Sequence, residues 1–174
     1  MDVVIINPSF LIGPYDQKPG SNRLVLMGTK RKVIFHPPGG KNFVHVTDVA
    51  ISIVRALKLG RNGECYLLAN ENLAYKEFFT RIGEVIHKKF LFIRLQVLFL
   101  IILGLFGEVF KILGINNELF LTNMGIIRTN CFYSGEKAQQ EFGLNYHSVR
   151  DAVEDSLNWY KDNPGYRNMQ KLKD

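Results

Sequence analysis

A chain of 174 residues suits one domain of ordinary size and leaves no room for two complete ones. Apolar residues make up 47% and charged residues 22%, which excludes the disordered, collagen-like and multi-span membrane classes. Twenty-two Lys and Arg against sixteen Asp and Glu leave a net charge of +6, an excess that suits anionic ligands, membrane surfaces and nucleic acid alike and selects none of them.

The run Val3-Val4-Ile5-Ile6, all four of its residues β-branched, stops at Asn7-Pro8 and reads as a strand buried on both faces, as in a parallel sheet. After a loop over residues 9–21, Asn22 to Thr29 suits a short helix. Val33-Ile34-Phe35 and Phe43-Val44-His45-Val46 read as short strands around the turn Pro37-Pro38-Gly39-Gly40. Thr47 or Asp48 can cap a helix whose apolar positions Val49, Ala50, Ile53, Val54 and Leu57 keep helical spacing up to Gly60. Glu64 to Ala69 reads as another strand. Tyr75, Phe78, Phe79, Ile82, Val85 and Ile86 form the apolar stripe of a helix ending near Lys88. A last helix opens at Ser148, with Asp151 three residues on, and runs to Pro164. Strands alternating with helices predict an α/β fold.

Phe90 to Phe110 is the compositional outlier. Its uncharged centre, Val97 to Phe106, is ten residues long, whereas a spanning helix needs about 20. A buried helix or helix pair is the first reading; a helix lying in a membrane interface, suited by Lys88, Lys89, Arg94 and Lys111, and a true span remain beside it. Lys30-Arg31-Lys32 is the densest basic run, but without interleaved aromatics it reads as a solvated loop rather than a nucleic-acid site. Cys65 and Cys131 lack partners at zinc-site spacing, so no metal is expected. Asp2 stands where a secretory signal needs basic charge, so free thiols in a reducing, cytoplasmic compartment are expected, with peripheral membrane contact through Phe90 to Phe110 as an option.

Four segments together carry a likeness. Val3 to Ser9 with Gly13-Pro14, then Asn42 to Ala50, then Gly63 to Leu68, and finally Ser134-Gly135-Glu136-Lys137-Ala138 with Glu141 to Leu144 resemble the C-terminal half of an extended short-chain dehydrogenase/reductase. The nearest group is the dihydroflavonol-reductase and 3β-hydroxysteroid-dehydrogenase branch of the NAD-dependent epimerase/dehydratase superfamily. The resemblance implies the C-terminal part of a Rossmann-like fold with a mostly helical substrate-side region. It also implies NAD or NADP as cofactor of the complete enzyme, cofactor contact at Pro8 and Ser9, and substrate contact at Phe10, Leu11 and Ile12. For His45 and Asp48, which match the family's His-Val-x-Asp-Val-Ala pattern, packing and capping are the favoured roles.

Two family features are missing. No glycine-rich turn of the G-x-G-x-x-G kind, which would hold the pyrophosphate, occurs in the sequence. The Tyr-x-x-x-Lys pair that family members carry before the Asn-Pro strand is also lacking. Tyr133 and Lys137 have that spacing but lie far downstream, and Ser134 is expected to cap the helix that begins there and leave Tyr133 outside it, so no catalytic residue is assigned. Residues 1–174 are therefore expected to form a single partial domain: the last sheet strands and the substrate-binding region, without the dinucleotide-binding half. The expected function is the substrate-side portion of an oxidoreductase acting on a carbonyl or alcohol of an apolar small molecule, inactive alone, with the missing half or a second copy as partner. A nucleotide-sugar epimerase or dehydratase fragment, with Arg128 starting a cationic clamp, and a non-catalytic lipid-binding module are the alternatives.

Overall fold

The computed structural model describes residues 2–18, 20–98, 101–102 and 129–167. In chain order the elements are β1 (Ile5–Pro8), β2 (Phe10–Ile12), α1 (Arg23–Lys30), β3 (Val33–His36), β4 (Gly40–His45), α2 (Val46–Leu59), β5 (Cys65–Leu68), β6 (Glu71–Ala74), α3 (Tyr75–Val85), β7 (Leu91–Arg94), β8 (Asn130–Cys131), α4 (Glu136–Phe142), α5 (Val149–Asp162) and α6 (Pro164–Arg167). The expected α/β class is what the structure shows.

The strands form three small sheets. β1 and β5 pair in parallel, from Ile5 opposite Cys65 to Pro8 opposite Leu68. β4 is the centre of a second sheet, flanked by parallel β2, antiparallel β6 and parallel β8. β3 and β7 make a parallel pair of their own. The two strands expected around Pro37 to Gly40 thus exist but do not pair with each other; each finds its partner elsewhere in the chain.

Alternation along β4 sets the core. Successive strand side chains point to opposite faces, so Phe43 packs with Ile12, Val25, Ile34, Phe78 and Val153, while Val44 packs on the other side with Tyr66, Leu68 and Phe142. The first cluster is closed by α1, α3 and α5, the second by α2 and α4. Burying an aliphatic or aromatic side chain contributes about 1.5–3 kcal/mol, so these two clusters supply most of the driving force.

Two expectations of burial fail. Val3 and Ile5 are 45% and 48% exposed, because β1 has a strand on one edge only and it is the opposite side, with Val4 and Ile6, that packs against the second cluster. On α2 the side turned inward carries Asp48, Val49, Ser52 and Ala56, while Ile53, Val54 and Leu57 of the apolar stripe point outward. Leu57 is 83% exposed. The helix cap also differs. His45, not Thr47 or Asp48, is the N-cap of α2, its ring nitrogen accepting from the Thr47 N–H at 3.0 Å. Gly135, not Ser134, is the N-cap of α4. At α5 the expected capping box is present, with Ser148 and Asp151 exchanging bonds at 3.1 and 3.2 Å.

Within Phe90 to Phe110, residues 91–94 are the strand β7 rather than helix, whereas Val97, Leu98, Ile101 and Ile102 are helical. Residues 103–110 lie outside the described residues, as does Arg128. Among the described residues no helix is long and apolar enough to cross a membrane.

Candidate functional site at the carboxyl ends of β1 and β5

In open α/β sheets, ligands settle beyond the carboxyl ends of parallel strands, where loops diverge. Here that edge is formed by Pro8 and Leu68, the last residues of β1 and β5. Pro8 is exposed and has no N–H to pair, so it ends the ladder. The next amide, Ser9 N–H, donates to Leu68 O at 2.9 Å, and after this one residue the chain enters β2 of the neighbouring sheet. Ser9 is therefore the pivot between two sheets.

Its hydroxyl donates to Asn42 Oδ1 at 2.6 Å. Asn42 is 1% exposed and sits at the centre of a polar lattice. Its Oδ1 also accepts from Asn70 N–H at 3.0 Å, and its Nδ2 donates to Asn72 Oδ1 at 2.7 Å and to Tyr133 O at 3.3 Å. Asn72 and Tyr133 close the ring, Nδ2 to O and N–H to Oδ1, both at 3.0 Å. A buried amide has two donors and a two-lone-pair acceptor to satisfy, and all are used here. The lattice holds the β1–β2 pivot, the β5–β6 connection and the segment before α4 in one arrangement.

Beside it opens a cleft of about 590 Å³ lined by Ala69, Asn70, Asn72, Tyr133, Ser134 and Gly135 among others. Gly135 is required by close approach, since a Cβ there would lie 2.4 Å from Ala69 O. Tyr146 also borders the cleft; its hydroxyl is buried without a partner among the described residues, and burial followed by the nearby Asp48 charge pushes it up to about 12.

The other singled-out residues fall into place around this edge. Phe10 packs edge-on against Phe43, with the Lys41 ammonium 4.7 Å above its ring. Leu11 is half-buried against the second cluster, and Ile12, 1% exposed, is part of the first. Phe10 and Leu11 retain accessible surface; Ile12 is accounted for by packing.

Tyr133 and Lys137 do not act as a pair. α4 begins at Glu136, so Tyr133 lies before the helix with its backbone held in the asparagine lattice. Lys137 Nζ is held instead by Glu64 Oε2 at 2.6 Å and Cys65 O at 2.9 Å, over the Tyr66 ring. The Glu64 bond raises the lysine and lowers the carboxylate, the reverse of a lysine primed for proton exchange. Next to it Arg61 and the Tyr66 hydroxyl hold Glu141, whose carboxylate is lowered chiefly by the Arg61 bond.

A second charged cluster joins α2 to α5. Because His45 Nδ1 accepts from Thr47, its proton is assigned to Nε2, which donates to Asp155 Oδ2 at 3.2 Å. His147 lies 5.3 Å from His45, ring to ring, and its Nδ1 meets Asp48 Oδ1 at 2.6 Å while its N–H donates to Asp48 Oδ2 at 2.8 Å. The Asp48 hydrogen bond and charge raise His147. Asp48 is thus a buried anchor for the segment leading into α5, a structural role other than the helix cap expected of it. Sequence reasoning missed His147 and the asparagines. Asn70-Glu71-Asn72, polar residues after an apolar strand, was the only local sign of them.

No protein-family model matches the chain. Over 97% of its length it is 27% identical to a putative dihydroflavonol 4-reductase of Synechocystis sp., of which it covers 51%. The crystal structure of gox2253 superposes with a TM-score of 0.76 at 29% identity, over 92% of this chain and 49% of that one. A UDP-glucuronic acid 4-epimerase of Bacillus cereus, solved with NAD, shares the fold at 15% identity with a TM-score of 0.62, over 93% and 46%. The chain therefore spans about half the length of the proteins it matches. These relatives and neighbours are the reductases, epimerases and dehydratases of the NAD-dependent epimerase/dehydratase superfamily, and the chain has the fold of half of one.

Proposed function

We propose that this member of the NAD-dependent epimerase/dehydratase fold is the substrate-side half of an NAD(P)-dependent oxidoreductase that reduces a carbonyl, or oxidises an alcohol, of an apolar small molecule. The observation that carries this reading is the Ser9–Asn42 lattice at the carboxyl ends of β1 and β5, with a cleft on its Asn70–Asn72–Tyr133 side. It lies where a doubly wound sheet holds its ligand. The similarity to a putative dihydroflavonol 4-reductase over nearly the whole chain favours a reductase and an apolar substrate. The nucleotide-sugar alternative is supported by likeness of fold alone.

The residues present fit one end of the cofactor. Exposed Pro8 and the backbone of Ser9 can border a nicotinamide, whereas the sequence offers no glycine-rich turn for the pyrophosphate. The nicotinamide, when bound, supplies the hydride. What this chain contributes is position: Ser9 is held by Leu68 and Asn42, so the strand end cannot drift, and Phe10 and Leu11 next to it offer apolar surface on the two opposite faces of β2. The pyrophosphate grip and the proton-donating tyrosine are assigned to a dinucleotide-binding half outside residues 1–174. The uncovered apolar surfaces of β1 and α2, with a groove of about 630 Å³ between them lined by Val3, Val4, Ile6, Ile53 and Leu57, are where such a half would pack.

Fluorescence titration with NADH and NADPH tests this. The chain alone should bind with a dissociation constant weaker than about 10 µM, or roughly −7 kcal/mol, and should gain affinity when co-expressed with the dinucleotide-binding half of a relative. Tight binding by the chain alone would overturn the reading.

A further inference from the structure

We propose that the outer face of the β3–β7 sheet is a docking surface for an anionic lipid bilayer. The register pairs Val33 with Leu91 and Phe35 with Ile93, so these four side chains share one face, while Ile34 on the opposite face is buried in the core. Phe35 and Leu91 are 51% and 62% exposed, and Ile93 is exposed beside them. Beyond β7 the helical Val97, Leu98 and Ile102 are exposed apolar residues as well. No described element covers this face. A contiguous apolar patch of this kind on a folded chain marks an interaction surface.

Charge identifies the occupant. From Gln17 to Thr47 the chain contains no acidic residue but six basic ones, Lys18, Arg23, Lys30, Arg31, Lys32 and Lys41. From Val85 to Gly107 it again contains none, with Lys88, Lys89 and Arg94. Both strands of the sheet come from these two stretches. Because they run in parallel, Lys30-Arg31-Lys32 and Lys88-Lys89, far apart in sequence, precede the two strands at the same end of the face, and Arg94 stands at the other. An apolar centre with cations at both ends and no carboxylate within either stretch matches a bilayer, whose acyl region accepts Phe35 and Leu91 while its headgroups meet the lysines. A second copy of the chain is a poorer occupant, since stacking two such faces brings cations against cations at either end. This face takes in the first part of the Phe90 to Phe110 segment, where residues 91–94 are strand.

The test is co-sedimentation of the full chain with phosphatidylcholine vesicles, with and without phosphatidylserine, at low and high salt. Binding should need phosphatidylserine and weaken as salt rises. Replacing Lys30, Arg31 and Lys32 together by Gln should weaken it about a hundredfold, at roughly fivefold per cation. Phe35→Ser with Leu91→Ser should weaken it by about tenfold or more, with circular dichroism unchanged because both side chains are exposed. Should that pair misfold, Ile93→Ser alone reads the same face. The proposal is overturned if the chain ignores phosphatidylserine vesicles, or if neither the apolar nor the basic variant alters binding. It is also overturned if the wild type is a dimer that the Phe35 and Leu91 changes dissolve without any vesicle binding to lose.

Discussion

Asn42 is the residue whose replacement should cost the candidate site most. In Asn42→Leu the volume is nearly kept, so the effect isolates hydrogen bonding. The two groups that lean on Oδ1, Asn70 N–H and the Ser9 hydroxyl, lose their acceptor. Asn72 Oδ1 and Tyr133 O lose a donor but keep each other's bonds at 3.0 Å, so they add little. A buried donor left unpaired costs about 1–3 kcal/mol and an ordinary lost hydrogen bond about 1 kcal/mol, which sums to about 2–4 kcal/mol. That is a large share of the stability of a domain. Asn42→Asp should be worse still at neutral pH. It keeps the acceptor for Ser9 and Asn70 but turns a carboxylate oxygen toward Asn72 Oδ1 and Tyr133 O, and among the described residues the groups bonded to this side chain are all neutral. Its folded-state pKa must then lie above the unfolded one, so the Asp variant should regain stability as pH falls, which the Leu variant should not. Urea denaturation at pH 7 and pH 5 measures both. A loss below about 1 kcal/mol for Leu, or equal pH dependence of the two, would mean that the asparagine lattice is incidental to the fold.

His147 is raised by Asp48, so its protonated form stabilises the docking of the α5 entry: this contribution is full below the unfolded value of about 6.5 and fades as pH rises through the folded one. Chemical-denaturation midpoints should decline across that window in the wild type, and His147→Gln should flatten the decline. Ser156 is fully buried in α5, its hydroxyl without a partner among the described residues, so Ser156→Ala should leave stability unchanged or raise it by about 1 kcal/mol in the same assay. Tyr133→Phe, in a protein completed with a dinucleotide-binding half, should change turnover less than tenfold, whereas loss of a general acid costs about 10²–10⁴-fold.

Local patterns in the sequence were enough for much of the fold. The apolar stripe from Tyr75 to Ile86 makes α3 and buries Phe78, Phe79 and Ile82, and the Ser148–Asp151 box starts α5 because both signals act within one or two turns of chain. The four quoted segments likewise sufficed to point to the superfamily of the relatives and structures that the chain matches. Partnership was another matter. Val33-Ile34-Phe35 read as a strand, but nothing in those residues says that it pairs with Leu91 to Arg94 rather than across the Pro37–Gly40 turn, and β2 and β6 are too short to show any period. Periodicity also cannot tell which face of a two-sided apolar helix lies inward. Val49 and Ala56 of α2 meet β4 and β5, while Val54 and Leu57 carry the same apolar signal and face out. The asparagine lattice and the His147–Asp48 contact join residues 91 and 99 positions apart at their farthest bonds, Asn42 to Tyr133 and Asp48 to His147. Such bonds are short-ranged and directional, so they exist only once the packing of β4 against its neighbours has brought the partners within 3 Å or so of one another.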